Sequence, residues 1–187
     1  MGLYIDAESA FDYLLKRSDI DPSKIILFGR SLGGAVAINV ASSPKYRDKL
    51  CALIVENTFT SIPDVAKVLF RIPILKWIPL WCHKNKYTNI RKIHRVKAPT
   101  LFLSGMRDEL IPPRMMQLLF QTSISVMKRL AKFENGTHNE TWQSEGYFET
   151  ICQFIIEVTK SRHGPRLNSG HTVDSSVIIE TNAFQDI

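Results

Sequence analysis

The sequence is poor in cysteine and lacks both a long apolar run and any block of clustered basic residues. Its three cysteines, Cys51, Cys82 and Cys152, are too few and too scattered for a disulfide framework or a zinc site. Cys51 and Cys152 lie within apolar runs and read as core residues. No stretch reaches the length of a membrane-spanning helix, and Met1-Gly2-Leu3-Tyr4-Ile5-Asp6 is not a signal peptide. Asp6 stands where myristoylation at Gly2 would need Ser or Thr. The net charge of +6 permits attraction to anionic surfaces, but with no nucleic-acid motif it predicts no nucleic-acid partner. Neither a cofactor nor a metal is expected. A length of 187 residues, 44% of them hydrophobic and 22% charged, suits one globular domain with a sizeable core.

The most informative stretch begins with four apolar residues of strand character, Ile25-Ile26-Leu27-Phe28. They run into Gly29-Arg30-Ser31-Leu32-Gly33, and Ala35, Val36, Ala37 and Ile38 follow with helical character. G-x-S-x-G between a strand and a helix is the signature of a nucleophile elbow. Such a turn strains its central residue, and the glycines on either side are expected to remove side chains that would strike the neighbouring strand and helix. The strain lifts the Ser31 hydroxyl clear of the sheet and sets it at a helix N-terminus. The bland alternative is a glycine-rich strand-to-helix turn with an ordinary serine.

Around this stretch the chain alternates. Ala7, Ala10, Phe11 and Leu14 predict an amphipathic helix over residues 6–17, and Asp21-Pro22 breaks the chain before the elbow strand. Ser42-Ser43-Pro44 ends the elbow helix. Leu50-Cys51-Ala52-Leu53-Ile54-Val55 reads as a strand covered on both faces. Helix, strand, helix, strand implies a parallel sheet in an α/β fold. Residues 59–96 interrupt the rhythm with Phe70, Ile72, Ile74, Leu75, Trp77, Ile78, Leu80 and Trp81, punctuated by Pro63, Pro73 and Pro79. The prolines forbid one long helix. Two readings stay open: a packed connection, or a cap that binds an apolar substrate group or rests on a membrane surface.

Alternation resumes with a strand at 99–105, a loop at 106–113, and a helix carrying Met115, Met116, Leu118 and Leu119. A last strand at 128–133 leads into Glu134-Asn135-Gly136-Thr137-His138-Asn139. The final helix shows Tyr147, Phe148, Ile151, Phe154, Ile155 and Val158 on one face. Residues 161–187 turn polar around the apolar patch Val177-Ile178-Ile179 and are expected to be a mostly disordered tail. The domain is therefore expected over residues 1–160.

Serine needs a neighbouring base, and the base an orienting carboxylate. In a parallel sheet the loops after the strands gather at one edge. Three of them carry Ser31, Asp108 and His138, in the chain order expected of an α/β-hydrolase. Glu109 is the adjacent competitor of Asp108, in a position that normally points away from the sheet edge. A turn aspartate and a surface histidine are the plain alternatives. His83, His94, His163 and His171 have no comparable strand-end context.

Gly29-Arg30-Ser31-Leu32-Gly33-Gly34-Ala35, Glu56-Asn57-Thr58-Phe59, Ser104-Gly105 with Asp108 and Ile111-Pro112-Pro113, and Gly136-Thr137-His138-Asn139 together resemble the α/β-hydrolase domain-containing family. Within it they are similar to the Bem-forty-six-like branch, over residues 2–160. The resemblance implies an α/β-hydrolase fold with a short cap insertion, and a serine esterase or thioesterase. Relatives of this kind remove palmitoyl groups from protein cysteines, which implies an acyl ester or thioester substrate, including S-acylated protein. It assigns Ser31 as nucleophile, His138 as general base and acid, Asp108 as orienting carboxylate, and the Leu32 N–H as an oxyanion donor. Family members are usually tethered to a membrane by an upstream anchor, and contact with a membrane surface follows. Asn135 and Asn139 each begin an N-x-Thr sequon, used only if the domain faces a lumen or the exterior.

The resemblance also sets an expectation of incompleteness. The family carries early strands and a second oxyanion donor ahead of the helix with which this chain opens, so the chain reads as the C-terminal part of such a domain, with one sheet edge bare. Losing one oxyanion donor costs roughly a hundredfold to a thousandfold in rate. A catalytically impaired chain that binds a partner through that edge is the rival from another class. Peptide cleavage on the same fold, of the prolyl-oligopeptidase kind, is a third.

Overall fold

The computed structural model describes residues 2–69, 87–163 and 175–180. Helix α1 (Gly2–Lys16) opens the chain and leads through a short 3₁₀ turn to strand β1 (Ile26–Arg30). Helix α2 (Leu32–Ser42), β2 (Ala52–Glu56) and α3 (Ile62–Leu69) follow. Then come β3 (Thr100–Gly105), α4 (Pro113–Thr122), β4 (Met127–Phe133), α5 (Tyr147–His163) and β5 (Ser175–Glu180). The strands form one sheet in the order β1-β2-β3-β4-β5, every neighbouring pair parallel.

The continuous apolar runs explain this layering. Every residue of β2 and β3 is buried, because helices cover the sheet on both faces. On one side Leu53, Val55, Phe102 and Leu130 meet Phe11 of α1, Ile38 and Ala41 of α2, and Met116 and Leu119 of α4. On the other, Ile54, Leu101, Leu103 and Phe133 meet Tyr147, Phe154 and Val158 of α5. Each large apolar side chain so enclosed contributes roughly 1.5–3 kcal/mol. A third cluster, with Ala35, Phe59, Val65, Leu69, Ile111 and Met115, lies beside the start of α2, and Leu32 packs against it.

Several expectations change. Cys51 is buried, but Cys152 is exposed, because it falls outside the α5 stripe set by Phe154 and Val158. Phe148 likewise points outward, 59% exposed. The tail expected over 161–187 includes the end of α5 and, at the β-branched patch Val177-Ile178-Ile179, strand β5 paired with β4. The rest of that tail, Cys82 and residues 70–86 of the expected cap lie outside the described residues. Within the described part of the cap segment Phe59, Ile93 and Val96 are buried. At the opposite end of the sheet from β5, β1 pairs with β2 alone among the described residues, and Phe28 is 53% exposed.

Candidate active site

The site is assembled at the C-terminal ends of β1, β2, β3 and β4, where a parallel sheet presents its loops. Ser31 joins β1 to α2 at φ 52 and ψ −119, a backbone conformation that non-glycine residues rarely adopt. Its N–H donates to the Glu56 carbonyl at 2.9 Å, and the Thr58 hydroxyl donates to the Ser31 carbonyl at 2.7 Å. The end of β2 and the loop after it therefore hold the two backbone groups of the strained residue.

The elbow glycines divide the work unevenly. A Cβ on Gly29 would lie 2.4 Å from the Gly33 carbonyl oxygen, and one on Gly34 would lie 2.7 Å from Thr58 Cβ. A Cβ on Gly33 would meet nothing within 4 Å. The expectation that both motif glycines relieve a collision holds for Gly29 alone of the pair, and the second tight position is Gly34. The reason is the helical screw, which turns Gly33 away from the sheet and Gly34 toward the β2 loop.

Asp108 follows β3 and is 6% exposed. Its Oδ1 accepts the N–H groups of Leu110 at 2.9 Å and Ile111 at 2.7 Å, which fixes the plane of the carboxylate. Its Oδ2 lies 2.7 Å from His138 Nδ1, and His138 Nε2 lies 3.1 Å from Ser31 Oγ. The three sequence-selected side chains are thus brought into one hydrogen-bonded row, although 107 residues separate Ser31 from His138. Glu109 is exposed, and so is His94. Leu32 is the first residue of α2, so its N–H has no carbonyl one turn earlier within the helix.

A second layer of polar residues has no role assigned to it by the sequence alone. Glu56, at the end of β2, is 2% exposed and accepts the Tyr147 hydroxyl at 2.7 Å on Oε2, while Oε1 has no partner among the described residues. Burial pushes the Glu56 carboxyl above its ordinary range, against the opposing effects of the Tyr147 bond and the charges of Arg30 and His138. Burial and the same carboxylate push the Tyr147 phenol up. Arg30 donates to the Asn139 carbonyl at 3.2 Å. Asn57 is 1% exposed and hydrogen-bonded to the last residue of β3 and to the loop after β4. Glu56-Asn57 stands among the motifs that carry the family resemblance, and an acid and amide closing an apolar strand is the signal that could have suggested a role for the pair.

Among the described residues no three of His, Cys, Asp and Glu cluster as a metal ion would require. A cleft of about 760 Å³ opens between α3 and α4, with Thr60, Asp64, Lys67, Val68 and Met115 in its walls. Ser31, Asp108 and His138 are not among its lining residues. Among the described residues no helix is long and apolar enough to cross a membrane.

No family model matches the chain. Protein bem46 of Schizosaccharomyces pombe is 39% identical over 160 residues, covering 83% of this chain and 51% of that protein. The α/β-hydrolase domain-containing protein WAV2 of Arabidopsis thaliana is 41% identical over 170 residues, covering 82% of this chain and 54% of that protein. The membrane protein YNL320W of Saccharomyces cerevisiae is 40% identical over 157 residues, covering 83% and 54%. The chain spans about half the length of these relatives. Among solved structures, acetyl xylan esterase 1 from Thermoanaerobacterium superposes with a TM-score of 0.63 at 18% identity, over 83% of this chain and 52% of that one. A monoacylglycerol lipase from Paleococcus ferrophilus gives 0.59 at 21% identity, over 84% and 74%. The fold is that of the α/β-hydrolases. Over the span they share, this chain is similar to the Bem46 and WAV2 α/β-hydrolase domain-containing proteins.

Proposed function

We propose that this chain carries the nucleophile, base and acid of a serine hydrolase acting on ester or thioester bonds. The observation that carries the reading is the row Ser31 Oγ, His138 Nε2, His138 Nδ1, Asp108 Oδ2, with spacings of 3.1 Å and 2.7 Å, ending on a serine of positive φ. Ser31 Oγ attacks the acyl carbonyl while His138 Nε2 takes its proton, and Asp108 holds the imidazole in the tautomer that leaves Nε2 free to accept. The carbonyl oxygen gains negative charge beside the Leu32 N–H at the start of α2. His138 then delivers the proton to the departing alcohol or thiol. Water, deprotonated through the same nitrogen, hydrolyses the acyl-enzyme and frees Ser31.

The finer readings rest on resemblance and on named relatives. The motif set points to the family member called α/β-hydrolase domain-containing protein thirteen, and an S-acylated protein cysteine is the substrate we propose on that basis. An acetyl xylan esterase and a monoacylglycerol lipase share the fold, which agrees with acyl-ester chemistry. One relative is named a membrane protein, which favours contact with a membrane surface.

A fluorophosphonate probe tests the reading directly, because it reacts with a serine activated in this way. Labelling of the chain that disappears in Ser31→Ala supports it, and a folded chain that never labels overturns it. The exposed Phe28 on the side of β1 that has no paired strand among the described residues favours a second reading, a binding module that pairs a partner strand there. If the chain is a monomer that hydrolyses an aryl ester or thioester, and Phe28→Lys leaves its partners unchanged, the second reading fails.

A further inference from the structure

The residue after β2 has a role that the catalytic row does not assign. Asn57 stands at φ 42 and is 1% exposed, with its backbone N–H donating to the Leu103 carbonyl at 3.1 Å. Its side-chain amide is bonded on both sides. Oδ1 accepts the Gly105 N–H at 2.8 Å. The two hydrogens of Nδ2 face three acceptors, the carbonyls of Thr137 and His138, each at 3.1 Å, and Thr141 Oγ1 at 2.9 Å, so that one hydrogen is shared. Thr141 can accept because its own hydroxyl hydrogen is directed to the Thr137 carbonyl at 2.6 Å.

These partners fix the orientation of the amide. A backbone N–H only donates and a carbonyl only accepts, so exchanging Oδ1 with Nδ2 would break the contacts to Gly105, Thr137 and His138 together. The chemistry is also specific to asparagine. Aspartate has no hydrogen to offer the two carbonyls, leucine offers neither function, and glutamine reaches a methylene further. Asparagine is also among the non-glycine residues that best tolerate a positive φ.

Gly105 ends β3 three residues before Asp108, and Thr137 and His138 lie on the loop after β4. One buried side chain therefore links the end of the strand that leads into the Asp108 loop to the loop that carries the base. We propose that Asn57 is a positioning residue for the hydrolase: it sets the separation of the Asp108 and His138 loops, and through it the reach of His138 to Ser31. The inference rests on the hydrolase reading of the site. Two backbone bonds also tie these loops, Met106 N–H to the Phe133 carbonyl and Arg107 N–H to the Gly136 carbonyl, each at 2.9 Å. Removing Asn57 therefore shifts the imidazole without releasing the loop. Misplacement of a catalytic group by about 1 Å costs on the order of a hundredfold in rate.

Two variants separate the contributions. Asn57→Gly deletes the amide and keeps the positive φ free of strain. Asn57→Asp keeps the shape and the acceptor for Gly105 but removes the donors to the His138 loop. Ile93→Ala, in the core that contains α1 and α2, serves as a control that lowers stability without touching these loops. The readouts are kcat and KM with an aryl ester, melting temperature, and the low-field proton resonance of His138 Nδ1 bound to Asp108, assigned by its loss in Asp108→Asn. We expect both Asn57 variants to lower kcat roughly tenfold to a hundredfold with KM little changed. They should also shift or weaken the Nδ1 resonance, while Ile93→Ala lowers the melting temperature alone. If both Asn57 variants only lower the melting temperature and leave kcat and the resonance as in the parent, Asn57 is structural and the inference is overturned. If the parent shows no Ser31-dependent turnover, the hydrolase reading fails by itself, and the resonance still decides whether Asn57 sets the His138–Asp108 contact.

Discussion

Gly105 and Gly136 touch backbone to backbone. A Cβ on Gly105 would lie 2.6 Å from the Gly136 carbonyl oxygen, and one on Gly136 would lie 2.9 Å from Gly105 Cα. The loop that carries Asp108 and the loop that carries His138 therefore leave their strands in contact, and beyond that contact His138 Nδ1 and Asp108 Oδ2 lie 2.7 Å apart.

Gly105→Ala should separate the two loops, because its Cβ would meet the Gly136 backbone and the side chain of Thr141. Overpacking of this kind costs about 1–3 kcal/mol. The melting temperature is expected to fall by several degrees, and fluorophosphonate labelling of Ser31 should slow. Unchanged labelling in a destabilised variant would mean that the contact supports the fold and not the site.

The elbow glycines should respond differently to alanine. Gly33→Ala adds a methyl into open space within α2 and should be neutral or stabilising by up to about 1 kcal/mol. Gly34→Ala must displace Thr58, whose hydroxyl holds the Ser31 carbonyl, and should lower the melting temperature. Thermal unfolding of the two variants side by side tests this. A Gly33→Ala loss as large as that of Gly34→Ala would contradict the geometry.

Asp108→Asn should reduce ester turnover on the order of a thousandfold or more, since an amide cannot hold His138 in the tautomer that accepts the Ser31 proton. Glu109→Gln should leave turnover unchanged, because Glu109 is exposed and outside the hydrogen-bonded row. Steady-state kinetics of the pair decides between the adjacent carboxylates, and a loss in the Glu109 variant alone would reassign the acid.

Glu56 should make stability fall as the pH rises. Its carboxyl is held above the ordinary range by burial, so between the unfolded and folded pKa values the native state binds more protons than the unfolded chain. In that window the slope of unfolding free energy with pH is negative, and the penalty is fully present once the pH exceeds the folded value. Glu56→Gln is therefore expected to raise the melting temperature at pH 7, with the advantage fading as the pH falls through the raised folded value and lost below the ordinary carboxylate value of about 4.5. An advantage that grows on acidification would reverse the assignment.

The sequence by itself determined the parts that depend on near neighbours. A strand, a glycine turn and a helix in succession create the Ser31 elbow wherever they occur, since sterics within ten residues dictate the conformation. Continuous apolar runs require a strand covered on both faces, and alternation with helices requires those strands to be parallel. From that topology the meeting of Ser31, Asp108 and His138 at one sheet edge was legible before any distance was known.

Only the tertiary structure decided what depends on distant partners and on phase. Asn57 acts through bonds to residues 48 to 84 positions away, and no local pattern encodes that reach. Helical phase turned Gly34 and not Gly33 onto Thr58, and left Cys152 facing outward on α5. Phe28, apolar in sequence, is exposed on β1, which among the described residues lies at the end of the sheet. In each case the side chain is unremarkable in sequence, and its consequence comes from the backbone that packing brings against it.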